Sequence, residues 1–106
     1  MQARKPLSAS KQNIEDRIKD APASHWFLYI IETEGGRLYT GITTDIERRF
    51  SQHQSGKGAK YFHIDAPKQV VYRREFENRS VASKEEVRIK RLSRGQKLLL
   101  IKNGSN

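Results

Sequence analysis

The chain contains no cysteine. That absence excludes disulfide bonds and thiolate-ligated zinc, so the fold must hold without covalent staples. Long apolar runs are missing too: nothing approaches the roughly 20 residues of a membrane span. The charged N-terminus has no apolar stretch behind it and so does not read as a secretory signal. A cytoplasmic protein with no membrane partner is the expectation. Acidic residues are scarce: 12 Asp and Glu stand against 21 Lys and Arg, for a net charge of +9. A surface of that sign attracts polyanions and suits nucleic acid. At 106 residues the chain fits one domain with one modest core.

Residues 1–24 separate by composition. They are rich in Lys, Ser, Gln and Ala, with Pro6 and Pro22 near the ends. Ile14 and Ile18 permit a short amphipathic helix, and a flexible extension fits equally. Such a segment is a candidate for docking a protein partner. The domain proper is expected over 25–102, with 103–106 as a tail.

Trp26 to Glu32 is aromatic and β-branched and apolar on both faces, which marks a central strand. Glu34-Gly35-Gly36 is a turn, and Arg37 to Ile42 is the return strand of a hairpin. Thr44 and Glu47 match a capping box that would open a helix over 45–55, with Gly56 as its stop. Lys68 to Phe76 is a third strand. A second helix runs from Ser80 to about Arg94, Gly95 interrupts it, and Gln96 to Lys102 forms a last short helix. The expected fold is a small α+β domain, β-β-α-β-α-α, with a three-stranded antiparallel-type sheet flanked by helices.

Several side chains on this frame could carry chemistry. If the hairpin loop is three residues long, Thr33 pairs with Arg37 and Tyr39 faces Ile31. Tyr29 and Tyr39 then share a face, and Gly41 lies opposite Tyr29, allowing close approach. Ile46, Arg49, Phe50 and His53 share one face of the first helix. Ile46 and Phe50 should meet the sheet, carrying Arg49 and His53 to the edge of that contact. Arg49 offers a planar fork suited to phosphate, unless it merely pairs with an acid such as Glu47. His53 could hold a phosphate oxygen or move a proton, or be a plain surface residue. On the second helix Glu86 flanks the apolar stripe as a possible ligand for a hard cation. Ser83 and Glu86 equally match a capping box, and spacing alone does not choose between Glu85 and Glu86. Lys84, Arg88, Lys90, Arg91, Arg94 and Lys97 form a basic stripe that could track phosphates. The loop Ser55-Gly56-Lys57-Gly58-Ala59-Lys60 lacks the Walker spacing, so no nucleotide cofactor is expected. Lys57 and Lys60 suit backbone contacts to nucleic acid.

Together these features resemble the GIY-YIG nuclease superfamily, in particular its small stand-alone bacterial members. Phe27-Leu28-Tyr29 and Tyr39-Thr40-Gly41 stand at the paired signatures, the first without its glycine. Arg49 and His53 fall ten and fourteen residues beyond Tyr39, and residues 82–101 resemble the family's later helical block. The resemblance spans about 25–102. It implies a metal-dependent endonuclease acting on DNA phosphodiester bonds, using one Mg²⁺ or Mn²⁺. In that reading Tyr39 is the general base, supported by Tyr29. Arg49 clamps the scissile phosphate, His53 assists, and Glu86 rather than Glu85 holds the metal. A late asparagine common in the family has no equivalent; Lys97 lies in that stretch. With no recognition domain, the implied substrates are single-stranded, flap or branched DNA, in repair or recombination. The alternatives are a non-catalytic nucleic-acid-binding module that keeps the fold and basic surface, and an interaction protein docking through residues 1–24.

Overall fold

The computed structural model describes residues 25–104; the expected N-terminal extension lies outside the described residues. Three strands form one antiparallel sheet: β1 (Trp26–Thr33), β2 (Leu38–Thr43) and β3 (Pro67–Phe76), in the order β2-β1-β3. Helix α1 (Ile46–Gln54) and a single turn, α2 (Tyr61–Ile64), lie between β2 and β3. Helices α3 (Arg79–Lys90) and α4 (Arg94–Asn103) follow. The α+β class, the antiparallel sheet and the element order are as expected, with α2 as an addition.

β1 is central because both of its faces are apolar. Leu28, Tyr29, Ile30 and Ile31 are all buried, although consecutive side chains point to opposite sides. The sheet therefore carries two cores. Leu28 and Ile30 pack with Tyr72 and Ile89, backed by Leu92, Leu100 and Ile101. Tyr29 and Ile31 pack with Ile46 and Phe62, backed by Tyr39, Phe50 and Val70. Helices α3 and α4 cover one face; α1 and α2 cover the other. Consecutive Ile30 and Ile31 pair with Tyr72 and Val70, which makes Val71 the extra residue of a bulge.

The hairpin register is the expected one. Thr33 N–H donates to Arg37 O at 2.9 Å, closing a three-residue loop in which Gly36 takes φ +86°. Tyr29 pairs with Gly41 and Ile31 with Tyr39. The turn is further tied by Asp65, which the sequence did not single out. Its carboxylate accepts from the Thr33 hydroxyl at 2.5 Å, the Gly35 amide at 2.8 Å and Arg37 at 3.1 Å. These donors, the Thr33 hydroxyl foremost, hold Asp65 below the usual carboxylate range.

Three helix boundaries differ from expectation. Asp45, not Thr44, caps α1, accepting from Arg48 N–H at 3.1 Å. The Thr43 hydroxyl takes the Asp45 amide at 3.2 Å and so fixes the turn one residue later. Glu47 does not close a capping box; it pairs with Arg73 at 3.1 Å. Helix α3 is capped by Asn78, which accepts from Val81 N–H, so Ser83 and Glu86 lie inside the helix and form no capping box. Gly95 does not break the last helices apart. The break falls at Arg91–Ser93, where Ser93 and Gln96 form a reciprocal capping box and Gly95 sits in the first turn of α4.

Candidate active site

The face of the sheet covered by α1 and α2 gathers the tyrosines, Arg49 and His53. Tyr29 and Tyr39 come from neighbouring strands and share that face, with ring centroids 6.4 Å apart. Gly41 lies directly across from Tyr29, and a Cβ built there would stand 2.5 Å from the Tyr29 hydroxyl oxygen. Only glycine leaves room for the phenol to end where it does.

His53 departs from its expected position. It is not at the rim of α1 and is not a surface residue; it is 1 % exposed. Its depth comes from the segment after α1, which folds back over the ring. The Ala59 amide donates to His53 Nδ1 at 3.2 Å. Nδ1 is thus an acceptor, and Nε2 carries the proton toward the Tyr29 hydroxyl, 3.1 Å away. A Cβ on Gly58 would collide with the His53 ring. The loop carrying Lys57 and Lys60 is therefore anchored: the Lys57 and Gly58 amides both donate to Gln52 O. Lys57 and Lys60 themselves are exposed.

Burial sets the electrostatics. Desolvation, with Arg49 second, pushes the His53 imidazole down to about 4, so the ring is neutral at physiological pH. Burial, with Tyr39 next, pushes the Tyr29 phenol up to about 12. Arg49 opposes this by a hydrogen bond to the same hydroxyl and by its charge, whereas the Glu86 charge adds to the rise. Tyr29 is thus a neutral phenol, bonded to His53 Nε2 at 3.1 Å.

Arg49 is half-buried and does not pair with Glu47. Its guanidinium donates to Gln52 Oε1 at 2.9 Å, and among the described residues no carboxylate pairs with it. Glu86 lies on α3, and its charge acts on Tyr29. It is mostly buried, with a side-chain exposure of 20 %, and pairs with Lys90 at 3.0 Å. Lys90 is thereby engaged with Glu86 and is not simply part of an outer stripe. Glu85 points elsewhere, into ion pairs with Arg88 and Arg74. Among the described residues no three His, Asp or Glu side chains converge to cage a metal. A lone carboxylate still fits Mg²⁺, which keeps most of its waters and takes substrate phosphate as a ligand.

Two aromatic residues complete the wall. Phe62 packs edge-on against Tyr39, centroids 4.7 Å apart, and lies 4.5 Å from the His53 ring. Tyr61 lies 5.5 Å from Tyr39. Sequence reasoning missed both, because α2 is a single turn with no periodicity to detect. Arg94 and Lys97 line a separate concavity with Arg37, Leu38 and Tyr61.

The fold thus gathers a pair of sheet tyrosines with an arginine and a histidine one turn apart on the following helix, and a glutamate on a later helix adds its charge to theirs. The chain belongs to the GIY-YIG nuclease family: the model of the GIY-YIG catalytic domain matches residues 25–98. A UPF0213 protein of Cupriavidus pinatubonensis is 51 % identical over 73 residues, covering 69 % of this chain and 81 % of that one. The UPF0213 protein YhbQ of Escherichia coli K12 is 48 % identical over 80 residues, covering 76 % of this chain and 80 % of its own. The solution NMR structure of a UPF0213 protein from Bacillus halodurans superimposes with a TM-score of 0.51 at 38 % identity, covering 77 % of this chain and 87 % of that one. No helix among the described residues is long and apolar enough to cross a membrane.

Proposed function

We propose that this domain is a cytoplasmic, metal-dependent endonuclease that hydrolyses DNA phosphodiester bonds. Unpaired or branched substrates of the kind met in repair and recombination suit a domain of this size. One observation carries the reading: half-buried Arg49 acts on the buried Tyr29 phenol and has no carboxylate partner among the described residues. A half-buried cation in that position is costly without an anion, and a phosphate supplies one.

The roles follow from the environment of each group. Arg49 binds the scissile phosphate and stabilises the charge that develops on its oxygens. Tyr39 accepts the proton of the attacking water as the general base. The new bond joins the water oxygen to phosphorus, and the bond from phosphorus to the leaving sugar oxygen breaks. Tyr29 is a positioning residue, since its phenol stays protonated at neutral pH. His53 is one too: both ring nitrogens are engaged inside the protein. Glu86 would hold one Mg²⁺ or Mn²⁺, which when bound polarises the phosphate and the leaving oxygen. Lys57, Lys60, Lys90, Arg94 and Lys97 supply general attraction for the DNA backbone.

The test is a cleavage assay on labelled single-stranded, duplex, flap and branched DNA with Mg²⁺, with Mn²⁺ and with chelator. Metal-dependent cutting should fall about 100- to 1000-fold in Arg49→Ala and vanish in Glu86→Gln. Binding without cutting, unchanged in Glu86→Gln, identifies instead a non-catalytic nucleic-acid-binding module.

A further inference from the structure

Beside the tyrosine site lies a second concavity of about 240 Å³, lined by Arg37, Leu38, Tyr61, Arg94 and Lys97. Three separate parts of the fold build it: the end of the hairpin, the start of α2 and the first turn of α4. Its cations converge against an electrostatic gradient. Arg94 and Lys97 sit at the end of α4 that carries positive partial charge, and no acidic residue occupies that first turn. Arg37 adds a third cation, and only it has a carboxylate partner among the described residues, Asp65 at 3.1 Å. Such an arrangement repels itself until an anion enters.

The aromatic member decides which anion. Tyr61 is 39 % exposed. Its ring is braced by Tyr39, 5.5 Å away, and edge-on by Phe62 at 5.6 Å. A braced, open aromatic among cations offers a stacking surface for a base together with contacts for its phosphates. A base within a duplex has both faces covered by its neighbours, so only an unpaired nucleotide can lie on Tyr61.

We propose that Arg37, Tyr61, Arg94 and Lys97 form a subsite for an unpaired DNA strand flanking the cleavage point, with a base stacked on Tyr61. This rests on the reading of the tyrosine cluster as a nuclease site. The Tyr39–Tyr61 contact makes the two sites adjacent, so neighbouring nucleotides of one strand span them. The subsite selects substrates by strandedness and reads no sequence, because every base has a face to stack.

Binding measured in chelator tests the subsite separately from catalysis. The probes are a fluorescently labelled oligothymidylate and a labelled duplex of equal strand length, followed by anisotropy. Tyr61→Ala should weaken oligothymidylate binding at least about fivefold, with duplex binding nearly unchanged and Tyr61→Phe close to wild type. The double variant Arg94→Ala/Lys97→Ala leaves the aromatic wall intact. It should lower the salt slope of single-strand binding by about 0.7 for each cation removed. Equal losses on both probes, no loss on oligothymidylate, or an unchanged salt slope overturns the subsite. A wild type that discriminates in this way but cuts nothing with either metal leaves the subsite standing and removes the nuclease reading. A wild type that cuts while Tyr61→Ala binds oligothymidylate normally does the reverse.

Discussion

At the scale of single residues, two glycines and a histidine set the geometry of the site. Gly41 abuts the Tyr29 hydroxyl and Gly58 abuts the His53 ring. Gly58→Ala should displace the ring and cut activity about 100-fold or more, the cost of misplacing a group in a positioned site; single-turnover cleavage beside a thermal melt measures it. His53 also gives the fold a dependence on acid. Its folded pKa, about 4, lies below the ordinary 6.5. Between those values the unfolded chain binds a proton that the folded chain does not, so stability rises with pH there and is lost as pH falls toward 4. Urea midpoints between pH 7 and pH 4.5 should show this decline, and the His53 ring signals should titrate near 4. Asp65 acts in a lower window. Its contribution is complete above the unfolded value near 3.8 and is lost as pH falls through its depressed folded value. A different case is Thr40, whose buried hydroxyl has no hydrogen-bond partner among the described residues. Thr40→Val should therefore be neutral or stabilising in denaturant unfolding.

Among secondary-structure elements, what could be read in the sequence depended on how local each cause is. The hairpin was legible as two strands and a turn, with its register conditional on a three-residue loop. Thr33–Arg37 pairing closes that loop, and the period of two then brings Tyr29, Gly41 and Tyr39 to one face. The stripe Ile46, Arg49, Phe50 and His53 was legible as a direction but not as a depth. What buries His53 is the Gly58–Ala59 backbone folding over it, and neither helical spacing nor composition encodes that. Asp65 was invisible because its partners Thr33 and Gly35 lie 32 and 30 residues away in the chain. The α1 cap shows a third limit. Thr44 and Asp45 are both good capping residues, and the neighbouring Thr43 hydroxyl chose between them. Asp45→Ala should cost about 1 kcal/mol of stability, and Thr44→Ala distinctly less. Chemical denaturation of the two variants distinguishes them.

For the whole molecule, the arrangement is a sheet with the Tyr29 and Tyr39 cluster on one side and an aliphatic core on the other. The Leu28, Ile30, Tyr72 and Ile89 core lies on the face away from the tyrosines. Ile89 is fully buried, and Ile89→Ala should destabilise the domain by about 2–5 kcal/mol. Guanidinium unfolding checks this, and at temperatures where the variant remains folded its cleavage rate should stay near that of wild type. Glu86 is the link between the two sides, since it rises from the same helix as Ile89 and its charge acts on Tyr29. The charge balance was legible from composition. The concave meeting of Arg37, Tyr61, Arg94 and Lys97 was not, because it joins segments from three places in the chain.

The position of β1 between two cores has one more consequence. Its amides are bonded to strands on both edges, and its side chains are covered above and below. Its amides meet solvent only when β2 or β3 parts from it, which also breaks up the cores on the two faces. The backbone amides of Leu28 to Ile31 should therefore exchange with deuterium most slowly in the domain, at a rate set by global opening. The phenol of Tyr29 stands on the segment that is last to come apart, so loss of this part of the site in denaturant should coincide with loss of the fold.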